Sequence, residues 1–180
     1  MLFLHKIMGL KSKIANRMLN SKLSSVIREK KVFNLDLAKS AGILWGYDQL
    51  EAFNRLEKEL RNNEIKTTGL CYFPDKKAFI PEGVSGFTRK QTSWVEIPDL
   101  DLTKEFIRQK FDILIDLTSQ KYFPMVYVTA SSEATFKIGH SGNSVNYFDW
   151  NIEFSEQPEA DQLADQILYY LKRINKTTIE

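Results

Sequence analysis

Residues 111–117, FDILIDL, form a short apolar run rich in Ile and Leu that gives way at once to the polar TSQK. Runs of this length between turn residues predict strands buried on both faces, and such strands belong to parallel sheets flanked by helices. Upstream, AGILWG at 41–46 reads as the first strand, with Tyr47 and Asp48 as a turn and Asp48 as the N-cap of a helix over 49–61. Ala52, Phe53, Leu56 and Leu60 give that helix one apolar face, and Asn62-Asn63 ends it. TTGLCYF is the next strand and stops at Pro74-Asp75, completing a βαβ unit with a right-handed crossover. A short edge strand is expected over 76–80. Residues 81–98 carry Pro and Gly without a sustained period, which predicts a long surface excursion. Phe87, Arg89, Lys90 and Trp94 are there either a binding face or anchors of the loop. A helix over 102–110 leads into the central strand, and a second over 122–130 holds Pro124 in its first turn. Strands over 135–139 and 149–154 follow. Pro158 opens a last helix that buries Leu163, Ile167, Leu168, Leu171 and Ile174, and the tail after Asn175 is expected to fray.

The N-terminus has a different pattern. Phe3, Leu4, Ile7, Leu10, Ile14 and Met18 recur at three and four, one stripe on a helix, with Lys6, Lys13 and Arg17 beside it. After Asn20 the apolar positions become Leu23, Val26 and Ile27, on a different side, so a break near Ser21 and a second short helix are expected. Net charge sharpens the division. Residues 1–31 carry +7 and the rest −5, a basic arm (1–31) on an acidic domain (32–180).

With 180 residues the chain suits one domain with a full core, and 43% hydrophobic with 27% charged residues is the balance of an ordinary globular protein. Cys71 is the only cysteine, which excludes an intrachain disulfide and a Cys-based zinc site and fits a reducing compartment. Lysines and Gly9 interrupt the start too early for a signal peptide, and no run reaches the roughly 20 apolar residues of a membrane span. The expected fold class is α/β, a three-layer Rossmann-like domain with a mostly parallel sheet and an N-terminal basic helical arm. The expected location is the cytoplasm, with the inner membrane surface as a peripheral alternative.

Candidate chemistry is sparse. No G-x-G-x-x-G follows the first strand, and Asp48 would repel a phosphate at the helix start, so a standard dinucleotide site is not indicated and no cofactor is called for. Asp116 lies near the carboxyl end of the central strand, where open α/β sheets bind ligands, but its expected role is to cap a turn beside Thr118 and Ser119. Gly139-His140-Ser141-Gly142-Asn143 falls one residue short of the G-x-S-x-G nucleophile elbow. A polar, strand-like stretch follows it where a helix is needed, and the second histidine, His5, sits in the arm. His140 with Asp116 or Asp149 lacks close ligand spacing, so no metal site is expected.

Segment 111–140 resembles the strand, helix and short strand ending in Ile-Gly of the N-terminal half of heptosyltransferase-type (GT-B) glycosyltransferases. That resemblance implies the fold; the donor nucleotide-sugar site of that family lies in a second domain for which this chain has no room. The order of AGILWGYD, FDILIDL, FKIG and NYFDWNIEF is similar to a family of uncharacterised small proteins from Bacteroidota bacteria, which implies no activity.

Two functions of different class follow. In the leading one the chain is a non-enzymatic interaction module whose arm, through Lys6, Lys11, Lys13, Arg17, Lys22, Arg28, Lys30 and Lys31, docks on an anionic partner, either RNA or the ribosome or the inner membrane surface. In the other it is a small-ligand or sugar-nucleotide-binding domain, a relict glycosyltransferase half, using Gly46, Tyr47, Ser119, Gln120, His140 and Ser141. A third use of the arm is to cover an exposed apolar face of its own domain or to join two copies in a homodimer.

Overall fold

A computed structural model describes residues 2–142 and 144–174, with side chains from Leu10 onward. After helix α1 (Leu2–Leu23) the chain alternates strand and helix: β1 (Ser40–Gly46), α2 (Leu50–Asn62), β2 (Lys66–Phe73), β3 (Gly86–Thr88), α3 (Leu100–Arg108), β4 (Ile113–Asp116), α4 (Phe123–Ser131), β5 (Phe136–Gly139), β6 (Trp150–Asn151) and α5 (Ala160–Leu171). The strands form one sheet in the order β3-β2-β1-β4-β5-β6, parallel at every pairing. The fold is therefore α/β with a fully parallel sheet in three layers, as the buried apolar runs require.

Alternation along the strands divides the core in two. Ile43, Trp45, Ile113, Ile115, Phe136 and Ile138 face α2 and α5, which bring Leu56, Leu60, Leu163 and Ile167. Leu44, Leu70 and Leu114 face α3 and α4, with Phe106, Phe111, Met125 and Val128. Helix α4, FPMVYVTAS, is buried along nearly its whole length because α1 covers its outer side through Ala15 and Leu19. Two glycines permit close approach: a Cβ at Gly42 would stand 2.7 Å from the Phe111 ring, and one at Gly139 would stand 2.5 Å from the Phe148 ring.

Several local expectations give way to tertiary partners. Helix α1 runs through Ser21 without a break, and no second helix follows. Ser24 and Ser25 end it, their hydroxyls donating to the Ser21 and Lys22 carbonyls at 2.8 and 2.7 Å. Asp48 does not cap α2: Gln49 holds the N-cap position without a side-chain cap, and Asp48 pairs with Lys121 at 3.2 Å. No edge strand forms over 76–80. The edge is β3, inside the expected excursion, three residues pairing parallel with β2 before a 3-10 turn at Arg89–Gln91. The strand expected over 149–154 shortens to Trp150–Asn151. The tail after Asn175 lies outside the described residues.

Asp116 behaves as a turn staple. Fully buried, it accepts hydrogen bonds from the Thr118 amide (2.8 Å), the Thr118 hydroxyl (2.6 Å) and the Thr129 hydroxyl (2.7 Å), tying the end of β4 to α4. Burial raises its pKa, and these bonds offset only part of that rise.

Candidate functional site at the sheet's carboxyl edge

In this strand order the chain leaves β1 toward one flank of the sheet and β4 toward the other, which opens a crevice between the loops that follow them. The crevice is present, with a volume of about 540 Å³. Tyr47 to Ala52 form one wall, Thr118, Ser119 and Lys121 a second, and Gln157 to Asp161 at the start of α5 a third.

Gln49 fixes its floor. The Oε1 accepts from the Gly46 amide at 2.7 Å and the Nε2 donates to the Leu117 carbonyl at 3.1 Å, so one side chain joins the ends of β1 and β4. Opposite, Thr118 to Lys121 close a turn in which the Lys121 amide donates to the Thr118 carbonyl at 3.0 Å. Its central residues Ser119 and Gln120 have φ of +50° and +57°, the left-handed region that costs a non-glycine residue about 1 kcal/mol or more. The Ser119 hydroxyl is buried without a hydrogen-bond partner among the described groups. Gln157 approaches the same turn, its Nε2 3.5 Å from the Ser119 carbonyl.

Charge around the crevice is mostly negative: Asp48, Glu51, Glu159 and Asp161 against Lys121. Asp48 is neutralised by Lys121 and Asp161 by Arg55 at 2.9 Å, while Glu51 and Glu159 have no ion pair among the described residues. Tyr47, 52% exposed, adds an aromatic face. Among the described residues no group of three or more His, Cys, Asp or Glu side chains is placed to hold a metal ion.

Of the residues singled out for ligand binding, the structure brings Tyr47 and Ser119 together on the crevice. Gly46 lies behind it and has a packing role: a Cβ there would stand 2.9 Å from both Asp48 and the Tyr122 ring. Gln120 turns to the loop after β5, donating to the Val145 carbonyl at 3.0 Å. His140 and Ser141 are buried at the end of β5. The His140 Nδ1 stands 2.8 Å from the Ile152 carbonyl, which can only accept, so the proton is on Nδ1. The Ser141 amide donates to Asn151 Oδ1 at 2.8 Å. Residues 144–149, next after the turn among the described ones, form no helix, so the nucleophile elbow is not built. Gln49, Glu51, Lys121, Gln157 and Glu159 were not singled out, because none belongs to a motif and only the fold assembles them.

The cations of the arm divide. Arg28 is held by the domain, with both guanidinium nitrogens on Asp149 at 2.8 and 2.7 Å and further bonds to the Ala134 and Thr135 carbonyls. Burial alone would raise the Asp149 pKa; Arg28, the Lys137 amide and Lys30 outweigh it and hold the carboxyl below the usual range. Lys30 stands 3.4 Å from the same carboxylate, Lys31 lies over the Phe33 ring, and Lys11 pairs with Glu96 at 3.0 Å. Lys13 and Arg17 are exposed and Lys22 half-buried, none with an ion pair among the described residues. The Lys6 side chain lies outside the described ones. In the excursion Phe87 is a core residue, Arg89 pairs with Glu96 at 3.2 Å, and Lys90 and Trp94 are exposed.

A family model described as a family of unknown function (DUF6913) matches residues 11–174, almost the whole described chain. No curated protein matches it.

Proposed function

We propose, for a chain that belongs to the DUF6913 family of unknown function, that it is a small-ligand-binding domain whose crevice takes an uncharged, hydroxyl-rich molecule such as a sugar. The observation that carries this reading is the composition of the crevice at the turn-around of the sheet: an exposed tyrosine ring, two carboxylates without ion pairs, an amide and an unpaired serine hydroxyl around about 540 Å³. That volume lies within the range of small-molecule sites. Carboxylates and amides accept and donate to hydroxyl groups, while an aromatic face covers the apolar side of a pyranose ring. The same carboxylates repel phosphate. The likeness of segment 111–140 to a GT-B half implies a nucleotide sugar; the acidic rim favours the sugar portion over the diphosphate.

Thermal-shift and calorimetric titrations with neutral mono- and disaccharides, polyols, nucleotides and nucleotide sugars test this. A neutral sugar is expected to raise Tm, with about 2.7 kcal/mol of stabilisation at a hundredfold excess over Kd. Tyr47→Ala and the pair Glu51→Gln with Glu159→Gln are expected to remove the effect while leaving the fold intact, since these side chains sit at the rim. Nucleotides binding as well as sugars, or no response to any probe, would overturn the reading.

A further inference from the structure

The helix α1 uses one side to pack on the domain and leaves a different one open. Ala15 and Leu19, four residues apart, are buried against α4 and its neighbours. On the opposite side of the helix Leu10, Lys13 and Arg17 fall together at the three- and four-residue spacing, and Met18 lies at the border of that side, beyond the half-buried Ile14 that packs on the core. Leu10 is 57% and Met18 48% exposed. Lys13 and Arg17 are exposed and without an ion pair among the described residues, and α1 contains no Asp or Glu. The Lys11–Glu96 pair ties to this helix the tight turn that carries Trp94, itself 65% exposed.

We infer that this open side of α1 is a docking surface for an anionic lipid bilayer, on which the protein lies peripherally. The charges attract acidic headgroups, and the aliphatic side chains beside them enter the headgroup boundary while the cations remain at the phosphates. Trp94, exposed on the turn that Lys11 ties to the helix, is of the residue type that membrane interfaces favour. A nucleic-acid backbone would satisfy Lys13 and Arg17 but leave Leu10 and Met18 uncovered, and the side chains described for α1, from Leu10 on, include no aromatic ring for base stacking. Among the described residues no helix is long and apolar enough to cross a membrane, so the contact is superficial.

Co-sedimentation of the full chain with vesicles of phosphatidylcholine alone and with about 30% phosphatidylglycerol tests the inference, with single-stranded and duplex RNA as competitors. Binding is expected only to the anionic vesicles, weakening as salt rises. Lys13→Glu with Arg17→Glu should weaken it by at least about thirtyfold, the effect of two cations near such a surface. Leu10→Asn with Met18→Asn should weaken it at least about tenfold. Circular dichroism checks that both variants keep the fold, and Trp94→Phe should remove the vesicle-induced fluorescence change. Binding that survives Leu10→Asn with Met18→Asn, tighter binding to RNA than to vesicles, or self-association through α1 in light scattering would each overturn it.

Discussion

Replacing Lys137 by methionine should flatten the dependence of stability on pH just above neutrality. Lys137 lies in β5 with 2% of its surface exposed, and its Nζ donates to the Thr129 and Ala130 carbonyls at 2.7 and 3.1 Å, the open end of α4. Burial, then the nearby positive charge of Arg28, push its pKa from 10.5 down to about 7, against the pull of Asp149. An unfolded lysine keeps its proton to about 10.5, so between about 7 and 10.5 the unfolded chain binds more protons and stability rises with pH. The slope approaches about 1.4 kcal/mol per unit, and the rise from pH 7 to 9 integrates to about 2.3 kcal/mol. Cys71 acts in the opposite sense but higher: burial first, and then Asp48, push its thiol from 9.0 up to about 12, so it lowers stability by only about 0.4 kcal/mol at pH 9 and in earnest above that. In urea unfolding at about pH 7, 8 and 9 Lys137 therefore outweighs Cys71. The native protein should gain about 2 kcal/mol across the series and Lys137→Met almost nothing. The m-value should stay constant. Because the readout is a slope, any fixed cost of leaving the two carbonyls unpaired cancels. A native protein with flat stability over this window, or a variant that keeps the rise, would refute the reasoning.

Gly139→Ala sets a Cβ 2.5 Å from the Phe148 ring and should destabilise by about 1–3 kcal/mol in chemical unfolding. Ser119→Gly should change stability by less than about 1 kcal/mol, since relief at φ +50° offsets the flexibility of glycine, while weakening sugar binding through loss of the hydroxyl. Arg28→Ala takes the guanidinium from Asp149, which keeps only the Lys137 amide and Lys30, and from two carbonyls, and should cost about 2–4 kcal/mol. It should also move acid unfolding to higher pH. A depressed carboxylate pKa contributes stability that is present above the unfolded value and lost as pH falls through the folded one, and Arg28 is the main group that depresses Asp149.

What the chain discloses about itself depends on how far away each partner lies. Strands buried on both faces leave continuous apolar runs, so AGILWG, the ILID of β4 and FKIG were legible without any knowledge of their neighbours. β3 was not, because GFT is held by backbone pairing to β2 and three residues carry no period. Asp48 has the chemistry of a helix cap and loses that role to Lys121, 73 positions along the chain. Helix α1 shows the same limit at a larger scale. Its longest side chains mark one side, yet small Ala15 with Leu19 supplies the packing on α4, because a small residue lets two helices approach. Of the stripe that hydropathy picked out, Leu10 and Met18 are thereby left exposed near Arg17, while Ile14 between them packs on the core.

The crevice has no motif for a related reason. Three stretches far apart in sequence give it a few side chains each, and none needs a special spacing to do so. Its position is set by topology: α2 follows β1 onto one face of the sheet and α4 follows β4 onto the other, so the two loops separate where adjacent strands end. Gln49 shows how that separation is limited. It bonds the Gly46 amide and the Leu117 carbonyl at once, so Gln49→Ala should both loosen the strand ends and widen the crevice, lowering stability by about 1–3 kcal/mol. It should weaken sugar binding more than Gln49→Glu, which keeps the acceptor for Gly46. Calorimetry on the two variants measures that difference, and equal affinities would mean that the floor of the crevice does not position its ligand.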